Sequence, residues 1–322
     1  MTRKLCLFIF FAFSSFLALS CEEDFNPQGE ITDKYILNCI IRGDTTVQTA
    51  FLSKNYAVDG YDPLSYKTDP SVRNAVIKVW EGDSVYIFKE GTFIRSDSSR
   101  YGSTGYCYNA KYSPNVNKSI EIEAVLPNGK KLKGSSKVPS KIYIDYSLTD
   151  TLCPPAGKNN VFTAWISDET SVMFLPLFKI IYFKNVNGTD VRYEKPIPIG
   201  YKNKDGKNVA IYPKGIFNLS YAYDMEAINR AMREISEGDP NKDRYKILSL
   251  MVEITVLDRN LSAFYSAGHL QSDGYSITVD QADFTNITGG LGIFGSYIKR
   301  VTSIRINRDY IMSFGYKSGL EP

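Results

Sequence analysis

The chain has 322 residues, 43% of them apolar and 13% aromatic, with a formal net charge of +3. Such a composition buries a core; it is neither low in complexity nor charged enough to stay unfolded. So small a net charge supplies no basic field and no acidic tail, which excludes nucleic acid as an expected partner.

The chain opens on Arg3 and Lys4, followed by the uncharged, Phe- and Leu-rich run Leu5 to Leu19. The run is shorter than the roughly 20 residues a membrane span needs and fits the apolar core of a secretory leader. Ser20 and Cys21 stand where a processing enzyme cuts, so residues 1–20 read as a lipoprotein signal peptide and Cys21 as the lipidated first residue of the mature chain. Two or three acyl chains hold a protein durably on a bilayer, where one alone is marginal. Without the leader the net charge is +1. Residues 21–34, with Glu22, Glu23, Asp24, Pro27 and Gly29, read as a polar tether. Cys39, Cys107 and Cys153 remain, allowing at most one disulfide and leaving at least one thiol. There is no Cys-x-x-Cys and a single histidine, His269, so neither a zinc site nor another cofactor is expected.

Strand signals then follow in order. Tyr35 to Ile41 and Val47 to Leu52 flank an Arg42-Gly43-Asp44 turn in a hairpin pattern. Residues 53–71 form a long loop, and length of that kind points to function or mobility. A second hairpin runs from Asn74 through Trp80, turns at Gly82-Asp83 and returns to Phe88. Tyr106 to Tyr108 is a short strand. Ser119 to Val125 alternates so that one face packs and one is wet. Asn128-Gly129 turns it, and Lys131 to Val138 pairs back. About seven short strands in so few residues imply an immunoglobulin- or transthyretin-like β-sandwich over 35–148. A boundary follows near Asp150 to Pro155, and 149–322 reads as a β-rich second domain with short helical insertions. Within it Val161 to Ile166, Leu177 to Phe183 and Tyr245 to Leu257 are strands. Tyr193 to Tyr212 is read as loops and edges. Asp224 caps a helix over 224–236, striped by Met225, Ile228, Met232 and Ile235. A shorter helix is expected over Asn260 to Ala267.

No nucleophile elbow, metalloprotease helix, phosphate loop or dinucleotide fingerprint is present. His269 has no evident acid and nucleophile to complete a triad. Asp168 and Glu169 are adjacent, and adjacent strand residues point to opposite faces, so they do not flank a sugar as glycosidase carboxylates must. Asp239, Asn241 and Asp243 begin like a calcium loop that Arg244 and Lys246 break. The expectation is therefore a binding protein and not an enzyme. Candidate ligand or partner contacts are Tyr56, Tyr61 and Tyr66 of the long loop with Tyr101 and Tyr106, which serve either as a platform or to pin that loop down.

The stretch Asp283-Phe284-Thr285-Asn286-Ile287-Thr288-Gly289-Gly290-Leu291-Gly292-Ile293-Phe294-Gly295-Ser296-Tyr297 resembles the C-terminal motif of the DUF4249 family of Bacteroidota outer-membrane lipoproteins. Ala75 to Val79 and the run from Val138-Pro139 to Ile144-Asp145 agree in order, although Tyr146 replaces the family's usual serine. Ala18-Leu19-Ser20-Cys21 is similar to the loose lipidation boxes of that phylum, and acids after the cysteine resemble its signal for the cell surface. In the motif the glycines let the backbone turn or pass close to another element, while Ile287, Leu291, Ile293 and Phe294 plug a core. The resemblance implies an accessory component of a SusC/SusD-like TonB-dependent importer. Its expected partners are a SusC-like barrel, a SusD-like lipoprotein and outer-membrane lipid through acylated Cys21. Peptide cargo is weighted slightly above glycan because the chain has only two tryptophans, Trp80 and Trp165. The alternative is a structural subunit of another outer-membrane complex without a small ligand; a surface hydrolase is the least expected.

Overall fold

The computed structural model describes residues 33–56, 62, 65–204, 206–269 and 284–319. The leader, Cys21 and Tyr61 lie outside the described residues, as does Asp283.

The first seven strands are β1 (Tyr35–Arg42), β2 (Val47–Lys54), β3 (Val76–Glu81), β4 (Ser84–Ile94), β5 (Thr104–Lys111), β6 (Ser119–Val125) and β7 (Lys131–Lys137). Alternation sets their faces: Ile120, Ile122 and Ala124 of β6 are buried, while Ser119 and Glu121 are exposed. Strand β4 belongs to two pairings. Ser84 to Phe88 run against β3, and Lys89 to Ile94 run against β5. The sheet therefore folds over at β4, with β1, β2 and β5 on one side and β3, β6 and β7 on the other. Leu37, Ile41, Leu52, Ile77, Val79, Ile122 and Leu132 belong to the main core.

Eleven further strands follow: β8 (Tyr143–Ile144), β9 (Leu152–Cys153), β10 (Asn160–Ile166), β11 (Phe174–Val186), β12 (Thr189–Pro196), β13 (Gly200–Lys204), β14 (Lys207–Ile211), β15 (Ser220–Asp224), β16 (Tyr245–Leu257), β17 (Leu291–Ile306) and β18 (Lys317–Ser318). Among the described residues three α-helices interrupt them, α1 (Met225–Glu234), α2 (Arg259–His269) and α3 (Arg308–Ser313). The fold is thus mostly β, with mixed sheets and a few short helices. A small sheet, β15-β10-β8, and α1 cover one face of β11 and β16: Tyr223 stacks on Phe178 at 4.6 Å, and Ala227, Ile228, Ala231 and Met232 are buried. The side chain of Asp224 accepts from the amide of Glu226 and caps α1.

One large sheet spans the molecule in the order β12-β11-β16-β17-β1-β2-β5-β4-β3-β6-β7. The first described strand pairs in parallel with the long C-terminal one, Ile36 opposite Leu291 through Arg42 opposite Tyr297. The expected division near residue 149 falls between β8 and β9, and the large sheet continues across it.

One expectation is met only in part, and one strand was not foreseen. Tyr193 to Tyr212, read as loops and edges, holds the end of β12 and the hairpin β13–β14. The overlooked signal is Asn187-Gly188, at φ of 52° and 87°, a two-residue turn that lets β12 pair back along β11. From Leu291 on, the glycine-rich tail motif enters a sixteen-residue central strand, β17. Its glycines hide the strand because they remove the alternating side chains by which strands are recognised. At Gly292, with φ of 116°, an added Cβ would overlap the carbonyl oxygen of Leu37 in β1. The close approach expected of this motif is made to β1, and Ile287, Ile293 and Phe294 are buried beside it, while Leu291 is only half-buried.

Candidate functional site

Three of the expected tyrosines come together. The rings of Tyr56 and Tyr66 stack at 4.1 Å. The guanidinium of Arg100 lies 5.4 Å from the centre of Tyr56 and 4.7 Å from that of Tyr101. It donates to the Tyr56 hydroxyl and, at 3.2 Å, to the main-chain oxygen of Tyr66. Arg95 holds the main-chain oxygen of Tyr101 and pairs with Asp69 at 2.7 Å. The neighbouring Tyr101 hydroxyl, then Arg100, lower the Tyr56 phenol below its ordinary value. These rings face one another and arginines, so they fasten the end of β2 to the loop after β4. Tyr106 stands on β5 over Arg73, 4.4 Å from ring centre to guanidinium, with Arg73 paired to Glu90 at 2.7 Å. No ring contact among the described residues joins it to the other three.

A second location has the shape of a site. On the outward face of β3, β6 and β7, register puts Trp80 opposite Glu121, and Glu121 opposite Ser135. One row thus carries an indole, a carboxylate and a hydroxyl across three strands. One strand position along, Glu123 pairs with Lys133 at 3.1 Å, and the lysine's hydrogen bond holds that carboxyl below its ordinary value. Glu121 has no ion pair or side-chain hydrogen bond among the described residues. Trp80, Glu121, Lys133, Ser135, Asn286 and Thr288 line a cavity of about 640 Å³. A second of about 480 Å³ continues past Ser119, Glu121 and Ser135 to Lys137, Glu169, Arg259 and Asn260. Sharing those residues, the two form one trough along β6 and β7, of the size that takes small ligands.

The far wall is built by the tail motif and α2. Lys133 and Thr288 exchange both main-chain hydrogen bonds, at 3.0 and 2.7 Å. The amides of Asn260 and Asn286 donate to the carbonyl of Ser135 at 2.8 and 3.3 Å, and Ser296 Oγ donates to that of Lys137 at 3.2 Å. The outer edge of β7 is therefore occupied.

Asp258, only 3% exposed, lines the second cavity. Its Oδ1 accepts from the amide of Leu261 at 2.7 Å and caps α2, while Oδ2 accepts from the Ser136 hydroxyl and from both the amide and hydroxyl of Ser296. Burial pushes this carboxyl above its ordinary range, against the pull of those donors. Asp258 joins α2, β7 and β17, and so sets the trough wall.

All three described cysteines are buried, unpaired thiols, and burial raises Cys153 to about 12. Among the described residues, no group of three His, Cys, Asp or Glu is placed to hold a metal, and no helix is long and apolar enough to cross a membrane. His269 ends α2, and its side chain lies outside the described residues.

Sequence reasoning missed the trough. The alternation of β6 exposes Glu121 legibly, but no local pattern places Trp80, Ser135 and Asn286 around it; that takes the β3-β6-β7 pairing and the return of the chain at residue 288. A scan against protein-family models finds no match to this chain, and a search of curated proteins finds no matching sequence.

Proposed function

We propose that this chain is a lipid-anchored protein of the outer-membrane surface that binds a nutrient ligand and serves a SusC/SusD-like TonB-dependent importer. The observation that carries the reading is the trough on β6 and β7. Unpaired Glu121 and the hydroxyls of Ser119 and Ser135 line it beside an indole. Such a surface offers hydrogen-bond donors and acceptors to a ligand without demanding a reaction. The leader ending at Cys21 and the acids behind it support the anchor. On this reading β1 to β7 form an immunoglobulin- or transthyretin-like sandwich, supported by the division of β4 between two pairings. The importer's barrel and lid lipoprotein are the partners.

One observation favours the structural-subunit reading. Phe51 and Phe93, 45% and 39% exposed, meet edge to face at 5.6 Å on one side of β2 and β4. Apolar residues gathered in water mark contact surfaces. Capture of the tagged protein from mild-detergent outer membranes, with mass spectrometry of proteins and small molecules, separates the two. Recovery of a TonB-dependent barrel and a lid lipoprotein with bound ligand supports the importer reading. Recovery of a large complex with no ligand replaces it with the structural one.

A further inference from the structure

We infer that the trough takes a neutral glycan and not a peptide strand; this rests on the trough being the ligand site. A peptide held on a sheet gains most of its affinity by pairing main chain with a free edge. At β7 that edge is used: Lys133 is paired with Thr288, and the carbonyls of Ser135 and Lys137 are taken by Asn260, Asn286 and Ser296. What the trough still offers is side-chain chemistry. An indole presents a flat apolar surface with a polar edge, which matches the C–H face of a pyranose. The carboxylate of Glu121, across the strand pair from Trp80, has its lone pairs free for two adjacent hydroxyls. Ser119 and Ser135 give hydroxyls that both donate and accept, as sugar hydroxyls require. Charge points the same way. Glu123 is neutralised by Lys133, and Lys137 and Arg259 line the trough together with Glu121, Glu169 and Asp258, so charges of both signs face a ligand. The two adjoining cavities give the trough length for more than one ring, which suits an oligosaccharide.

The two tryptophans make the test direct. Trp165 is 2% exposed, whereas Trp80 lines the trough, so acrylamide quenching of the full chain reports Trp80. The probes are soluble hexasaccharides of glucose, xylose, mannose and galactose in α and β linkage, and a tryptic casein digest as the peptide pool. The expected result is that at least one hexasaccharide lowers the quenching slope about twofold and the digest does not. Glu121→Gln, an exposed substitution, weakens that protection at least tenfold while leaving thermal unfolding unchanged. Protection by the digest and by no saccharide overturns the glycan assignment and leaves the trough as the ligand site. Protection by neither overturns both. Protection that is the same in Glu121→Gln removes the carboxylate from the recognition.

Discussion

Gly292 and Asp258 are the positions where one atom decides the geometry around the trough. At Gly292 an added methyl meets the backbone of β1 and not a flexible side chain, and φ is already 116°. Gly292→Ala is expected to cost about 3 kcal/mol, since strain and overlap combine. Gly129→Ala, also at positive φ but with open space around it, is expected to cost about 1 kcal/mol. Urea unfolding midpoints of the two variants check the difference. Removing the side chain of Asp258 leaves the amides of Ser296 and Leu261 and the Ser136 hydroxyl without their acceptor, at a cost of about 3 kcal/mol. Its titration adds a sign. Because the folded state raises this carboxyl, Asp258 stabilises most below its unfolded value and loses that contribution as pH rises through the folded one. The stability deficit of Asp258→Ala should therefore narrow from pH 4 to pH 8, and urea titrations at both values measure it. The tail motif's glycines were legible as a site of close approach, but nothing local names β1 as the element approached, because it lies about 250 residues earlier in the chain.

Charges are ordered at the scale of strands. Across the face of β12, β11, β16 and β17, as far as the turn after β1, runs a chain of pairs: Arg192 with Glu194 at 2.8 Å, Glu194 with Lys179 at 3.4 Å, Lys179 with Glu253 at 2.9 Å, Glu253 with Lys299 at 3.2 Å, and Lys299 with Asp44 at 3.0 Å. Glu253 is its middle link. Burial works to raise its carboxyl, and the ammonium groups of Lys179 and Lys299 more than offset that, holding it below its ordinary 4.5. A carboxyl held low contributes stability that is complete above its unfolded value and lost as pH falls through its folded one. Glu253→Gln is expected to cost about 2 kcal/mol at pH 7, with the gap from the unsubstituted protein closing as pH falls below 4.5. Thermal melts from pH 7 to pH 3 follow that closure. Local elements were largely readable: the helix from Asp224 and its apolar stripe, the strand Tyr245–Leu257, and the alternation of Ser119–Val125. The hairpin β13–β14 was not, because Lys, Asn and exposed Val leave it no buried face to mark its period.

For the whole molecule, the decisive event is the meeting of β1 with β17. It joins strands from the two ends of the described chain, and the bridge between Lys133 and Thr288 repeats the closure at β7. Contacts so distant in sequence make unfolding of the halves interdependent. Trp80 and Trp165 report on them separately: in Trp165→Phe the emission follows β3, and in Trp80→Phe it follows β10. Within each variant, fluorescence and far-ultraviolet circular dichroism are expected to give one coincident urea transition, whereas two separated midpoints would show halves that unfold alone. The same closure creates the trough, whose near wall is β6 and β7 and whose far wall is carried by the tail motif and α2. Ligand binding should therefore raise the midpoint of the whole protein and not of one half.

The trough is proposed as a ligand site on a surface protein. Its most direct test is parallel capture of the unsubstituted protein and of Trp80→Ala from outer membranes, with mass spectrometry of what each retains. The same importer proteins are expected with both, and a bound oligosaccharide only with the unsubstituted chain. Equal small-molecule recovery from the two, or none from either, would contradict that proposal.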